Sequence, residues 1–190
     1  MKKLIVIIVA LSLFLLCGCS GYQEINRGYL VSAIGISKKD SVYSVFVEAL
    51  YSSEVLDSSV KRVCFSATEV TLASAFETLN ESLAKPLYFE QLGLLVLEEG
   101  AVDDGIVFLG NITNVNYGVY VVKTDDMSAL FSTDNTDSVL GYDIISLIKK
   151  LPKNLRKGLS CQFYQTHKNG FDFPLVNVKD NNFFVDVSGD

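Results

Sequence analysis

The order of apolar and polar positions between residues 30 and 61 predicts a pair of strands followed by a loop. Leu30 to Ile36 is a short apolar run, and Val42 to Tyr51 carries apolar side chains at every second position. A period of two is typical of a strand that buries one face. Because residues 38–41 are few and polar, the two strands are predicted to form a hairpin. Ser52 to Lys61 is predicted to be a polar loop.

A helical period follows. Apolar residues recur at spacings of four, three and four, which places them on one helix face: Leu72, Phe76, Leu79 and Leu83. Ser66 precedes Glu69 by three residues, a capping-box pattern that predicts the start of this helix. Pro86 is predicted to end it.

The middle of the chain alternates between short strands and short helices. Leu92 to Leu97 is continuously apolar, as in a strand buried on both faces, and Tyr117 to Lys123 is a fourth predicted strand. One helix is predicted from Glu98-Glu99 through Leu109. A short helix is predicted at Met127–Phe131, with Thr124 or Asp125 as its cap. A third helix is predicted from Val139 through Ile148, and it ends near Lys149-Lys150. These elements predict an α+β fold, in which a mixed sheet of about four strands packs against two or three helices.

The last forty residues are predicted to be a linker and a hairpin. Residues 151–172 are rich in Lys, Asn, Gly and Pro, and residues 173–187 contain two alternating runs. Because a lone hairpin is marginally stable in water, it either adds to the main sheet or begins a second domain. The expected division of the chain is a signal peptide (1–18), a tether (19–29), an α+β domain (30–150), a linker (151–172) and a hairpin (173–190). If the hairpin does not add to the main sheet, it is the start of a truncated second domain.

The first twenty residues have the organisation of a secretory signal peptide. Two lysines precede the apolar run Leu4 to Leu16, and small residues follow it, as in the cleavage region of a signal. A membrane-spanning helix needs about 20 apolar residues, more than this run provides. Leu16-Cys17-Gly18-Cys19 resembles a bacterial lipobox, in which only Cys19 occupies the modified position. The resemblance implies cleavage after Gly18 and a diacylglyceryl thioether on Cys19; the alternative is an ordinary secreted protein.

Composition and motifs argue against several classes of function. The chain has 16 basic and 22 acidic residues, without the basic run that nucleic-acid binding requires. None of the common catalytic or nucleotide-binding motifs occurs, and His167 is the only histidine. We therefore predict no enzyme activity, no catalytic residues and no cofactor. Cys64 and Cys161 are either free thiols or one disulfide.

Two further groups of residues suggest ligand sites more weakly than they suggest structural roles. Residues 132–138 (STDNTDS) are acidic, but they lack the order of an EF-hand calcium loop, so no metal site is predicted. Four aromatic residues could line a small pocket, although strand aromatics more often pack the core: Tyr88, Phe89, Tyr117 and Tyr120.

The order of these pieces resembles the Ger(x)C family of spore-germination lipoproteins, the C subunits of germinant receptors. The similarity rests on the lipobox, Glu24-Ile25, the LVSAIGI strand and three later segments: 66–106 (SATEVTLASAFETLNESLAKPLYFEQLGLLVLEEGAVDDGI), 116–131 (NYGVYVVKTDDMSALF) and 171–189 (FDFPLVNVKDNNFFVDVSG). Ser20 to Gln23 stand where the family usually has a Trp-Asp pair and an Arg, and residues 110–114 lack the family's arginines. Family members are also about twice as long.

The resemblance implies a lipid-anchored receptor subunit on the outer face of the cytoplasmic membrane, which in the endospore is the inner membrane. Two integral-membrane receptor subunits are the implied partners, besides the membrane itself, and nucleic acid is not a partner. Two other classes remain open: a lipid-anchored binding protein for a small solute or a cell-wall fragment, and an extracytoplasmic enzyme. Thermal stabilisation by a small molecule would indicate the former, and turnover lost on changing one polar residue would indicate the latter.

Overall fold

A computed structural model describes residues 28–52, 60–112, 118–132, 139–153, 156, 173–179 and 182–186. Its strands are β1 Tyr29–Lys39, β2 Val42–Ser52, β3 Val60–Glu69, β4 Leu87–Tyr88, β5 Leu94–Leu97, β6 Tyr120–Lys123, β7 Leu175–Lys179 and β8 Asn182–Asp186. Its α-helices are α1 Leu72–Ser82, α2 Val102–Asn111, α3 Met127–Phe131 and α4 Leu140–Lys150, and a 3-10 turn at Glu99–Ala101 leads into α2.

The eight strands form one mixed sheet with the order β3-β2-β1-β5-β6-β7-β8, while β4 pairs with the start of β1. The two ends of the sheet are antiparallel, and the centre, from β1 through β5 and β6 to β7, is parallel. The predicted α+β class is confirmed. The predicted number of about four strands is too low, because β3, the two-residue β4 and the final hairpin all join the sheet.

The first hairpin is confirmed. β1 and β2 pair antiparallel from Leu30↔Leu50 to Lys39↔Val42, and only Asp40 and Ser41 connect them. Both connecting residues have positive φ, 49° and 66°. Positive φ at both positions is what the two-residue type I′ turn requires, and the twist of this turn matches that of the flanking strands.

Helices cover both faces of the central strands. Along β5, Leu95 and Leu97 belong to the cluster that contains the buried residues of α1 and α2. Leu94 and Val96 belong to the cluster formed with α3 and α4. Successive side chains of a strand point to opposite faces, so β5 is buried on both sides, as its apolar sequence predicts.

The predicted start of the first long helix is wrong by about one and a half turns. Ser66 and Glu69 lie in β3, and α1 begins only after Thr71, whose hydroxyl accepts a hydrogen bond from the Ser74 N–H at 3.1 Å. Along β3, polar residues alternate with apolar residues such as Val63 that face the core. This two-residue period of a strand prevails over the local capping-box pattern.

The other helices lie close to their predicted positions. α4 ends at Lys149-Lys150 as expected, where cations complement the helix dipole. The cap of α3 is Asp126, whose Oδ1 accepts from the Ala129 N–H at 2.9 Å, rather than the predicted Thr124 or Asp125. Of the described helices, none combines the length and the apolar character needed to cross a bilayer.

The C-terminal hairpin extends the main sheet. β7 and β8 pair antiparallel, and β7 joins β6 in parallel through Lys123↔Leu175. Val176 is fully buried in the cluster that contains α3 and α4. Nearly all of the predicted linker lies outside the described residues, so the division into domains stays a prediction.

Candidate functional site

A carboxylate that has no contact with solvent lies on the second strand from one edge of the sheet. Glu48 of β2 is 0% exposed, and it stands between Ala33 of β1 and Cys64 of β3. Its neighbours Val47 and Ala49 point into the cluster with α1 and α2. Because side chains alternate along a strand, Glu48 points to the opposite face, where α4 begins.

The Glu48 carboxylate caps α4 from a distant part of the chain. The Leu140 N–H donates to Oε1 at 2.8 Å and the Gly141 N–H donates to Oε2 at 3.0 Å. The first backbone N–H groups of a helix have no partner within the helix. At the N-cap position Val139 supplies no side-chain hydrogen bond, so Glu48 satisfies donors that the local sequence leaves open.

Two side chains from the neighbouring strands complete this cluster. The Ser32 hydroxyl of β1 donates to Oε2 at 2.5 Å. Arg62 of β3 places Nε 2.6 Å from Oε1 as an ion pair, although its N–H does not point along a hydrogen-bond axis. The Arg62 side chain is only 9% exposed, so both charges are largely removed from water.

A glycine and a strand irregularity allow the close approach of α4. A Cβ atom on Gly141 would lie 2.8 Å from the backbone oxygen of Ser32, closer than real Cβ atoms come to a backbone oxygen. The register of β1 shifts between Val31 and Ala33, so Ser32 sits at a bulge of the kind that redirects a side chain. Together they bring the helix start, the serine and the glutamate into contact.

The geometry of this cluster favours a structural role. Each Glu48 oxygen already interacts with two groups of the protein, and no surface of the side chain is open to a reactant. The positive end of the α4 dipole and the guanidinium both stabilise the buried negative charge. We therefore interpret Glu48 and Arg62 as the polar connection that positions α4 on the sheet.

A second polar cluster lies where the parallel strands end. The Lys38 ammonium lies 2.7 Å from Asp104 Oδ2 of α2, and the Tyr43 hydroxyl donates to the same oxygen at 2.6 Å. Hydrogen bonds from Lys38 and Tyr43 to the carboxylate hold the pKa of Asp104 below its ordinary value. The same hydrogen bond from Lys38 to Asp104 raises the pKa of Lys38.

Other acidic residues at this end of the sheet hold helices in place. Glu98 is 7% exposed; its Oε1 lies 3.5 Å from Lys39 Nζ and accepts from the Met127 N–H at 3.4 Å. The adjacent Glu99 pairs with Lys123 at 3.0 Å. Asp126 caps α3, so each of the three adjacent acid pairs of the sequence has a member whose contacts position a helix: Glu98-Glu99, Asp103-Asp104 and Asp125-Asp126.

The predicted site residues are divided between described and undescribed parts of the chain. Cys19, the predicted lipidation site, lies outside the described residues, as do Cys161, His167 and residues 133–138 of the acidic loop. Cys64 is an exposed free thiol on β3, and partial desolvation by the flanking structure raises its pKa. Within the described ranges, no three His, Cys, Asp or Glu residues are grouped as metal ligands.

Of the four aromatic residues considered for a pocket, the three that the structure describes do not lie together. Phe89 packs against the cluster of α1 and α2, whereas Tyr120 packs against the cluster of α3 and α4 on the other face. Tyr88 lies over Gly28 at the start of β1. Tyr117 is outside the described residues.

Comparison with known proteins identifies the family. The family model of the spore germination protein N-terminal domain matches residues 21–164, well over half of the chain. The chain belongs to this family. No curated protein and no solved structure matches it.

Membership assigns the chain a role in spore germination and confirms the resemblance to Ger(x)C proteins in their N-terminal domain. The match begins two residues after Cys19 and contains the whole Glu48 cluster. In this chain the buried cluster therefore lies within the region that matches the spore germination domain.

The Glu48 cluster is the main feature that the sequence analysis missed, although a signal for it exists. Glu48 is the one charged residue in the strand VYSVFVEALY, and Arg62 follows in the next strand. A lone acid in a predicted strand followed by a base in its neighbour indicates a buried pair. Its helix partner at residues 140 and 141 is too distant in sequence for any local period to show.

Removing the Glu48 carboxylate is expected to destabilise the domain strongly. In Glu48→Ala the Arg62 charge and two N–H groups of α4 lose their partner, and breaking a buried pair typically costs about 3–5 kcal/mol. Glu48→Gln keeps an acceptor and should cost less. Urea unfolding followed by circular dichroism measures both. The control is Glu77→Gln on the exposed surface of α1, which should stay close to wild type; an equally small change in Glu48→Ala would contradict the structural role.

The Asp104 cluster predicts a pH-dependent contribution to stability. Because the folded-state pKa of Asp104 is lowered from 3.8, its contribution is present above the unfolded-state pKa and is lost as the pH falls through the folded-state value. Asp104→Asn should therefore be less stable than wild type at neutral pH, and the difference should close below pH 3.8. Thermal unfolding across the acid range measures it. If the difference stays constant down to the lowest pH, the ion pair is not its cause.

Proposed function

We propose that this chain is the lipid-anchored subunit of a nutrient germinant receptor and acts through contacts with two integral-membrane subunits. The observation that carries the proposal is the position of the family match. The match to the spore germination domain begins at residue 21, directly after a segment that resembles a lipobox with Cys19 at the modified position.

The anchor supplies the membrane attachment on this proposal. One acyl chain alone gives only marginal membrane binding, whereas two or three chains on one cysteine anchor a domain stably. Confinement to the membrane raises the effective concentration of the domain near membrane-embedded partners. The site of action is then the outer face of the cytoplasmic membrane, which is the inner membrane of the spore.

The described structure supports a role in protein–protein contact rather than chemistry. The buried carboxylates of Glu48 and Glu98 are engaged by backbone N–H groups and cations of the domain itself. Both oxygens of Glu48 are occupied in this way, so its carboxylate is not available as an acid, a base or a ligand for a solute. We propose that the contact surface for the partner subunits lies on the exterior of a rigid domain and that the subunit is not an enzyme.

Metabolic labelling with a fatty acid tests the anchor. Cys19→Ala should abolish incorporation of the label, because it removes the thiol to which the lipid would be attached. Cys17→Ala is the matched control and should leave incorporation intact, because that residue is removed with the signal. Labelling that persists in Cys19→Ala, or is lost in Cys17→Ala, would contradict the assignment.

A germination assay tests the role in the receptor. Spores that lack this gene and any longer paralogue should germinate poorly with nutrients but normally with stimuli that bypass the receptors. The Cys17→Ala gene should restore the nutrient response, and the Cys19→Ala gene should not. A normal nutrient response without any copy would rule out the receptor role, and stabilisation of the purified domain by a small solute would favour the solute-binding alternative.

A further inference from the structure

The folded part of the domain begins at a fixed point at the amino end of β1. The Tyr29 N–H donates to the backbone oxygen of Pro86 at 2.9 Å, and Tyr29 pairs with Leu87 of β4. Gly28 is buried against the ring of Tyr88, where a Cβ atom would lie 2.1 Å from a ring carbon. Residue 28 is therefore held by the fold, and any tether from Cys19 ends there.

The length of that tether limits how the domain can stand on a membrane. Cys19 and Gly28 are nine residues apart, which gives a full reach of about 30–32 Å. β1 has 11 residues and is itself about 33 Å long. A domain standing with its opposite end on the lipid would hold residue 28 at or beyond the limit of the tether. Only orientations with the amino end of β1 near the membrane leave the tether slack.

The chemistry of the amino end of β1 suits a lipid surface. A row of residues crosses four adjacent strands at this end: Leu87 of β4, Tyr29 of β1, Tyr51 of β2 and Lys61 of β3. The rings of Tyr29 and Tyr51 form an edge-to-face pair with centroids 5.8 Å apart. Both residues are partly exposed, and Tyr29 also packs on Phe65 at the edge of the core. Tyrosine is enriched at membrane–water interfaces, and lysine is attracted to anionic headgroups.

The opposite end of the sheet has a different surface. There the side chains of Lys38, Lys39 and Lys123 are paired with Asp104, Glu98 and Glu99, respectively. Among the described residues, these acidic partners offset the basic charge at this end, and moving the pairs into the membrane interface would cost hydration. Tether length and surface chemistry therefore favour the same orientation.

We propose that the row Leu87, Tyr29, Tyr51 and Lys61 is the membrane-facing rim of the domain and contacts the phospholipid surface. The inference rests on the proposed lipid anchor at Cys19. The sheet then stands with the carboxyl ends of its parallel strands about 33 Å farther from the lipid, where other proteins can reach them.

Two exposed valines at opposite ends of β3 provide a matched test. Val60 lies next to Lys61 at the rim end and is 65% exposed, and Val70 follows the far end of the strand and is 71% exposed. Each is changed to Cys in the mature lipoprotein carrying Cys64→Ser and Cys161→Ser, and is labelled with the same fluorophore. The proteins are reconstituted in vesicles of phosphatidylglycerol and phosphatidylethanolamine that contain a headgroup-attached quencher.

The proposed orientation requires stronger quenching at residue 60 than at residue 70. Because about 33 Å of strand separates the two positions, we expect at least about threefold more quenching at residue 60. Equal quenching at both positions, or stronger quenching at residue 70, would overturn the orientation even if the protein is firmly bound.

A sedimentation step separates failure of the orientation from failure of the anchor. Lipidated protein should pellet with the vesicles, whereas the same chain produced from Ser20 onward, with neither signal peptide nor lipid, should remain in the supernatant. If the wild-type protein carries no lipid and does not pellet, the anchor is refuted and the orientation with it. Pelleting with equal quenching refutes the orientation alone.

Discussion

The carboxylate of Glu48 joins elements that lie far apart in the chain. It contacts Ser32 of β1, Arg62 of β3 and the first two N–H groups of α4. Removing one partner from such a buried pair costs about 3–5 kcal/mol, whereas a domain has only about 5–15 kcal/mol of net stability. The domain can tolerate the burial of this one charge only while all of its partners stay in place. The contacts of Glu48 therefore strongly restrict where α4 can lie on the sheet.

The position of α4 in turn determines the core on its face of the sheet. Leu140, Ile144 and Ile148 are fully buried beside Leu94 and Val96 of β5. α3 completes the same layer. It can pack closely on the sheet because residue 35 is a glycine: a Cβ atom on Gly35 would lie only 2.5 Å from the Met127 sulfur. The Glu98 carboxylate contacts the first N–H of α3 much as Glu48 contacts α4. Side chains on or directly after strands thus fix both helices of this layer.

The sequence predicts the elements whose signals are local and misses what depends on distant contacts. The hairpin of β1 and β2, the doubly buried β5 and the last turn of α4 follow from period, polarity and charge within a short window. β3 was missed because Ser66 and Glu69 imitate a helix start, although the residues around them alternate as in a strand. The Glu48 cap was missed because its helix donors are 92 and 93 residues away. Cys19 differs from both cases, because its assignment depends on a motif alone and not on the described fold.

The internal use of the buried charges bears on how the domain can work. Glu48 and Glu98 contact partners within the same chain. The fold therefore does not need a ligand or a neighbouring subunit to neutralise these two charges. A domain whose buried charges are already paired internally can meet other molecules with little backbone change, as most preorganised complexes do. For a family with a role in spore germination, this leaves the outer surface of the domain, rather than a charge in its core, as the part that is open to other molecules.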